Sequence, residues 1–251
     1  MLAIKHYIPN TVTLLNLLCG CMAFISVFTG QIDRVPFFIA ICLFADYFDG
    51  LLARLLKVSS PMGRELDSLA DMVSFGVVPG AMLFYLINQS KGIGIEEIDF
   101  SNFETLDGLF GFLVTLFSCI RLAKFNLDTR QKEGFVGLNT PACTIFVLGL
   151  LLISIRDVYG LKAYMLNGYF LYFMTIALSY FLIAEIPMFS FKFKVIEWKT
   201  NKIRILFLIF SIICLIVFKF GAALSIIILA YMLFSFVLWM AGMIKREKRD
   251  F

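Results

Sequence analysis

Histidine is almost missing from this sequence: His6 is the only one among 251 residues. That sets aside a histidine base and a zinc site. Charge is scarce too, at 16% of residues, where an average soluble domain carries about a quarter. With 61% hydrophobic residues and a mean hydropathy of +0.91, there is little room for a separate water-soluble domain. The chain reads as an integral membrane protein. Cys19, Cys21, Cys42, Cys119, Cys143 and Cys214 all lie within apolar runs. Their one close pair, Cys19-Gly-Cys21, has neither zinc nor redox spacing, so they read as small packing residues. No Ala-x-Ala processing site follows Met1–Pro9, and no cleaved signal is expected. No inverted repeat is found.

What the sequence has is apolar runs long enough to span a bilayer, for which about 20 residues are needed. Eight are read, over about 10–30, 35–56, 63–87, 106–126, 138–155, 166–188, 203–219 and 221–243. The last two are separated only by Lys219-Phe-Gly221, which permits a tight hairpin or one kinked element. The expected fold is an all-α polytopic membrane bundle of about eight transmembrane helices. Residues 1–165 would form the core, and 166–251 would add helices to the same membrane domain. With the N-terminus in the cytoplasm, seventeen of the twenty-two basic residues fall on inner loops and helix ends. Both termini are then cytoplasmic. The net charge of +4 follows from this bias and gives no reason to invoke nucleic acid. The tail Lys245-Arg-Glu-Lys-Arg249 marks the lipid headgroup region.

Against this background four carboxylates stand out: Asp46, Asp49, Asp67 and Asp71. A carboxylate in hydrocarbon costs at least about 2.5 kcal/mol on the most lenient scale, so four together need compensation. Asp46, Asp49, Gly50 and Ala53 share one helix face, and Asp67 and Asp71 share another. Between them Ser60 suits an N-cap and Pro61 a first helical position. The short turn makes the two helices antiparallel neighbours whose acidic faces can meet. All-oxygen ligands suit magnesium, manganese or calcium, and four are enough for two ions. Gly50, Ala53 and Gly63 leave room beside the acids, while Arg54 and Ser60 can bind phosphate oxygens. The combination suggests phosphoryl transfer from a nucleotide-like diphosphate. The rival outside the enzyme class is a cation transporter, since intramembrane aspartates commonly mark ion paths.

The string Asp46-x-x-Asp49-Gly50-x-x-Ala53-Arg54-x8-Gly63-x-x-x-Asp67-x-x-x-Asp71 resembles the signature of the CDP-alcohol phosphotransferases, matching all eight fixed residues over 26 positions. Within that family, three further stretches resemble the phosphatidylserine synthases. They are Ile8-Pro-Asn10-Thr-Val-Thr13-Leu-Leu-Asn16-Leu-Leu-Cys-Gly20, then Asp67 to Pro79, and then Arg121-Leu-Ala-Lys124-Phe-Asn126 with Phe135-Val-Gly137-Leu-Asn-Thr-Pro141-Ala142. The likeness covers about residues 8–145. Lys124 departs from it, standing where arginine is more usual and lacking the planar fork.

The resemblance implies transfer of a phosphatidyl group from CDP-diacylglycerol to the hydroxyl of L-serine with release of CMP. It also implies dependence on Mg2+ or Mn2+, two ions in number, and a homodimer at the cytoplasmic face of the cell membrane. Asp46, Asp49, Asp67 and Asp71 would hold the metal, and Asp71 would be the general base. Gly50, Ala53, Arg54, Ser60 and Gly63 would line the CDP site. Asn10 and Thr13, at the inner end of the first span, contact the diphosphate or sugar or else cap a helix. The serine carboxylate needs a cation, for which Arg121, Lys124 and Arg130 are candidates. Glycerol phosphate and inositol phosphate remain alternative acceptors.

Overall fold

The computed structural model describes residues 2–58, 60–99, 101, 103–127, 135–188 and 198–241. The helices are α1 (Leu2–Phe28), α2 (Val35–Leu55), α3 (Pro61–Asp71), α4 (Val78–Ser90), α5 (Leu113–Leu127), α6 (Thr140–Arg156), α7 (Lys162–Met165), α8 (Gly168–Ile183), α9 (Trp198–Val217) and α10 (Phe220–Met240). Five helical stretches are long and apolar enough to cross a membrane: Tyr7–Phe28, Ile32–Leu55, Pro61–Ser90, Leu106–Leu127 and Phe220–Met240. Three apolar helices are shorter: Thr140–Arg156, Gly168–Ile183 and Arg204–Val217. The chain is thus an all-α polytopic membrane bundle. The eight runs read from the sequence fall on these segments, and among the described residues five have the length of a full crossing. Phe218 and Lys219 separate α9 from α10, making two helices rather than one kinked element.

Helix α6 lies in the middle of the bundle. It is buried along nearly its whole length and packs against α4, α8 and α10, so it has no polar stripe to show. Its contact with α10 depends on absent side chains. A Cβ on Gly149 would sit 2.2 Å from Ser225 Oγ and 2.8 Å from Gly221 O. Small residues allow such close backbone approach in membranes. Gly149→Ala is therefore expected to destabilise the protein by about 1–3 kcal/mol through overpacking. Thermal denaturation in detergent checks this, and a melting temperature at or above that of the parent contradicts it.

One break in regular helix was not expected. Between α3 and α4 the chain widens to π geometry over Met72–Val77. Pro79, just beyond, lacks the N–H that would bond the Phe75 carbonyl four residues back. Hydroxyls from other helices approach the segment: Thr115 Oγ1 donates to Gly76 O at 2.8 Å, and Thr144 Oγ1 lies 3.2 Å from Phe75 O and 3.0 Å from Thr140 O of its own helix. Such π segments gather at functional sites, and this one follows Asp71 directly.

The acidic faces of α2 and α3 meet as the short turn predicts, but the two helices do not pack closely. Both pack on α1, and their backbones barely meet. Facing carboxylates repel one another, so without a cation they do not draw the two helices together. The polar and small residues of α1 fill that role, and a cleft is left between α2 and α3. A Cβ on Gly20 of α1 would lie 3.0 Å from Ser74, which shows how closely α1 presses on the π segment.

Candidate metal centre and substrate cleft

Helix α2 ends in a tight reversal that shapes the cleft floor. Val58 N donates to Ala53 O at 3.0 Å and Lys57 N to Arg54 O at 3.2 Å, with Lys57 at φ 54°. This is the Schellman pattern of helix termination, and it turns Val58 back beneath the last turn. Ser60 then caps α3, its Oγ accepting from Gly63 N at 3.0 Å, with Pro61 in the first turn. Both features match the sequence expectation.

Asp46 and Asp49 of α2 and Asp67 of α3 each offer a carboxylate oxygen within 4.8 Å of the others. Oxygens that share one hard divalent ion at about 2.0–2.6 Å lie no more than about 5 Å apart, so this spacing fits such an ion. Asp49 is 6% exposed, and Asp67 Oδ1 is buried with no hydrogen-bond partner. Among the described residues no lysine or arginine pairs with any of the four aspartates. A bound divalent cation would supply the missing charge and a partner for Asp67 Oδ1. The all-oxygen donor set suits Mg2+ or Mn2+. Asp71 stands outside the triad but within electrostatic reach of Asp46, Asp67 and Asp49, and its Oδ1 accepts from Asn16 Nδ2 at 3.2 Å.

Beside the triad is a cleft of about 140 Å3 lined by Pro9, Asn10 and Thr13 of α1, Asp49, Gly50 and Ala53 of α2, Val58, and Ser60, Gly63, Arg64 and Asp67. Six of the seven residues expected at the CDP site therefore meet here. The seventh, Arg54, is exposed, donates from Nε to Gly50 O of its own helix at 2.9 Å, and does not line the cleft. Arg64 does line it, and the sequence reading had given it no part in the site. Gly50 and Gly63 differ in an informative way. A Cβ on Gly63 would meet Ser60 Oγ at 3.2 Å and Asn10 Oδ1 at 3.3 Å, whereas one on Gly50 would meet only Arg54 Nη2 at 4.0 Å. The protein's own packing therefore leaves room for a side chain at position 50.

The candidates for the acceptor carboxylate separate. Arg121 is 5% exposed, with Nε donating to Leu138 O at 3.2 Å and its guanidinium 5.3 Å from the Phe125 ring centroid. Lys124 is exposed on α5, and Arg130 lies outside the described residues. Ser68 and Asn126 exchange hydrogen bonds of 3.2 and 3.0 Å, and Thr115 reaches Gly76. Arg121 lies on α5 between these two anchor points, alongside the stretch that holds Asp71. Residues 135–138 are tied down in turn. The short strands β1 (Phe135–Val136) and β2 (Pro187–Met188) pair antiparallel, and Gly137 N donates to Ile186 O at 2.9 Å.

Comparison with known proteins shows the family. The profile of the CDP-alcohol phosphatidyltransferase family matches residues 6–180. A Bacillus subtilis protein named CDP-diacylglycerol–serine O-phosphatidyltransferase is 32% identical over 187 residues, covering 74% of this chain and 92% of that protein. A Helicobacter pylori protein of the same name is 27% identical over 242 residues, covering 96% of this chain and 94% of its own length. The Saccharomyces cerevisiae protein so named is 34% identical over 160 residues, 57% of this chain and 53% of the yeast protein. By its signature residues, its carboxylate cleft and these matches, the chain belongs to the CDP-alcohol phosphatidyltransferase family.

Proposed function

We propose that this protein is a phosphatidylserine synthase. It transfers the phosphatidyl group of CDP-diacylglycerol to the hydroxyl of L-serine and releases CMP, at the cytoplasmic face of the cell membrane. The observation that carries the proposal is the match to relatives of that name over most of both chains. The aspartate triad and the open space at Gly50 support it. The bias of basic residues towards the carboxylate end supports the orientation.

Asp46, Asp49 and Asp67 would hold a divalent cation, Mg2+ or Mn2+, which would neutralise charge on the diphosphate and on departing CMP; of the four ligands and two ions expected, the triad accounts for three ligands and one ion. Asn10, Ser60, Gly63 and Arg64 bind the CDP head, Arg64 as the cleft's cation. Gly50 and Ala53 keep the wall low, and Arg54 stands at the rim. The serine oxygen forms a bond to the β-phosphorus as the bond from that phosphorus to the CMP oxygen breaks. The proton of the serine hydroxyl passes to Asp71, a carboxylate placed to act as general base. Arg121 pairs with the serine carboxylate, with Lys124 of α5 and, three residues beyond that helix in sequence, Arg130 as further cations.

The experiment that tests this is CMP release by purified protein with CDP-diacylglycerol, Mn2+ or Mg2+ and either L-serine, glycerol 3-phosphate or inositol phosphate. Release with serine alone is expected. Release only with another alcohol overturns the acceptor assignment.

Gly50→Ala separates room for substrate from protein packing. Alanine is better than glycine inside a helix by about 0.5–1 kcal/mol, and its Cβ meets nothing closer than 4.0 Å. The melting temperature should hold or rise. Overlap with the substrate, at about 1–3 kcal/mol, should lower turnover roughly 5- to 150-fold. Steady-state CMP release beside thermal denaturation checks both signs.

A further inference from the structure

Helix α1 sends one hydrogen-bond donor to each of the two acidic helices. The donors, Thr13 and Asn16, are three residues apart and so share a face. Thr13 is 3% exposed, and its Oγ1 lies 2.6 Å from Asp49 Oδ2 and 3.1 Å from Pro9 O. A hydroxyl has one proton to give. The carboxylate contact is shorter and charge-assisted, so Thr13 donates to Asp49. Asn16 is fully buried and donates from Nδ2 to Asp71 Oδ1 at 3.2 Å. Its own Oδ1 is buried without a partner. An orphaned acceptor costs about 1–3 kcal/mol, so a leucine of similar size would serve stability better. The α1 backbone is fixed at this level, with Cys42 Sγ of α2 donating to Asn16 O at 3.4 Å.

We propose that Thr13 and Asn16 are positioning residues with separate tasks: Thr13 sets the orientation of Asp49 within the cation-binding triad, and Asn16 sets that of Asp71, the proton acceptor. The inference rests on the functional reading above. Hydrogen bonds to ligating carboxylates act on metal affinity or activity by about 10–100-fold. Because Asp71 is outside the triad, the two substitutions should have different consequences.

The test is Mn2+ binding to detergent-purified protein, followed by electron paramagnetic resonance with the metal alone, beside steady-state kinetics. Thr13→Val should weaken Mn2+ binding about 10–100-fold, and Thr13→Ser, which keeps the hydroxyl, should restore it. Thr13→Ala serves if the valine variant does not fold. Asn16→Leu should bind Mn2+ like the parent and leave KM for CDP-diacylglycerol unchanged, while kcat falls about 10²-fold through misplacement of the base. Parent-like Mn2+ affinity in Thr13→Val overturns the role of Thr13. Unchanged kcat in Asn16→Leu, or a loss of Mn2+ affinity there, overturns that of Asn16. A parent protein that binds no Mn2+ overturns the underlying metal-centre reading instead.

Discussion

Asp71→Asn is expected to lower serine-dependent CMP release by about 10²–10⁴-fold while Mn2+ binding persists. The substitution keeps shape, and the asparagine oxygen can still accept from Asn16 Nδ2, which now holds Asp71 Oδ1 at 3.2 Å. What is lost is the ability to take a proton from the acceptor hydroxyl. Since Asp71 is not one of the three acids within 4.8 Å of one another, metal affinity should survive. Single-turnover CMP release beside Mn2+ titration checks this. Loss of Mn2+ binding in the variant would make Asp71 a ligand rather than the base.

Asp67→Asn should have the opposite profile, with Mn2+ binding and CMP release lost together. Charge stabilisation by a metal is worth several kcal/mol, and about 4 kcal/mol corresponds to roughly 10³-fold in rate. Metal-free stability should move the other way. Asp67 contributes one of three clustered carboxylates, no cation pairs with it among the described residues, and its Oδ1 has no partner. Removing that charge relieves repulsion, so the variant should melt at or above the metal-free parent. Added Mn2+ should raise the melting temperature of the parent, because a ligand that binds only the folded state stabilises it, and should not raise that of the variant. A variant that keeps a Mn2+-dependent shift contradicts the assignment.

Much of this site was legible in the sequence because its information is local. Carboxylates in apolar runs announce a cost that must be met, and spacings of three and four place Asp46, Asp49 and Gly50 on one face. Ser60 and Pro61 announce a helix start. The unread parts depend on partners distant in sequence. Pro79 signals a disturbed helix, but the contacts of the π segment Met72–Val77 with Thr115 and Thr144 come from two other helices. Arg54 and Arg64 look alike as helix-borne cations, and only the fold turns one back onto Gly50 O and the other into the cleft. The part α1 plays beneath both acidic helices likewise comes from tertiary contact. The pairing of Phe135–Val136 with Pro187–Met188 involves two residues a side, too few to carry a periodic signal. It nevertheless gives the segment after α8 a task, bracing the loop whose Leu138 carbonyl holds Arg121.

The most direct measurement is incorporation of isotopically labelled L-serine into lipid by the purified protein, with CDP-diacylglycerol supplied and divalent metal first chelated and then restored. The account predicts labelled phosphatidylserine and CMP in equal amounts, absent under chelation and regained with Mn2+ or Mg2+. Folded protein that moves no label into lipid under any of these conditions would contradict it.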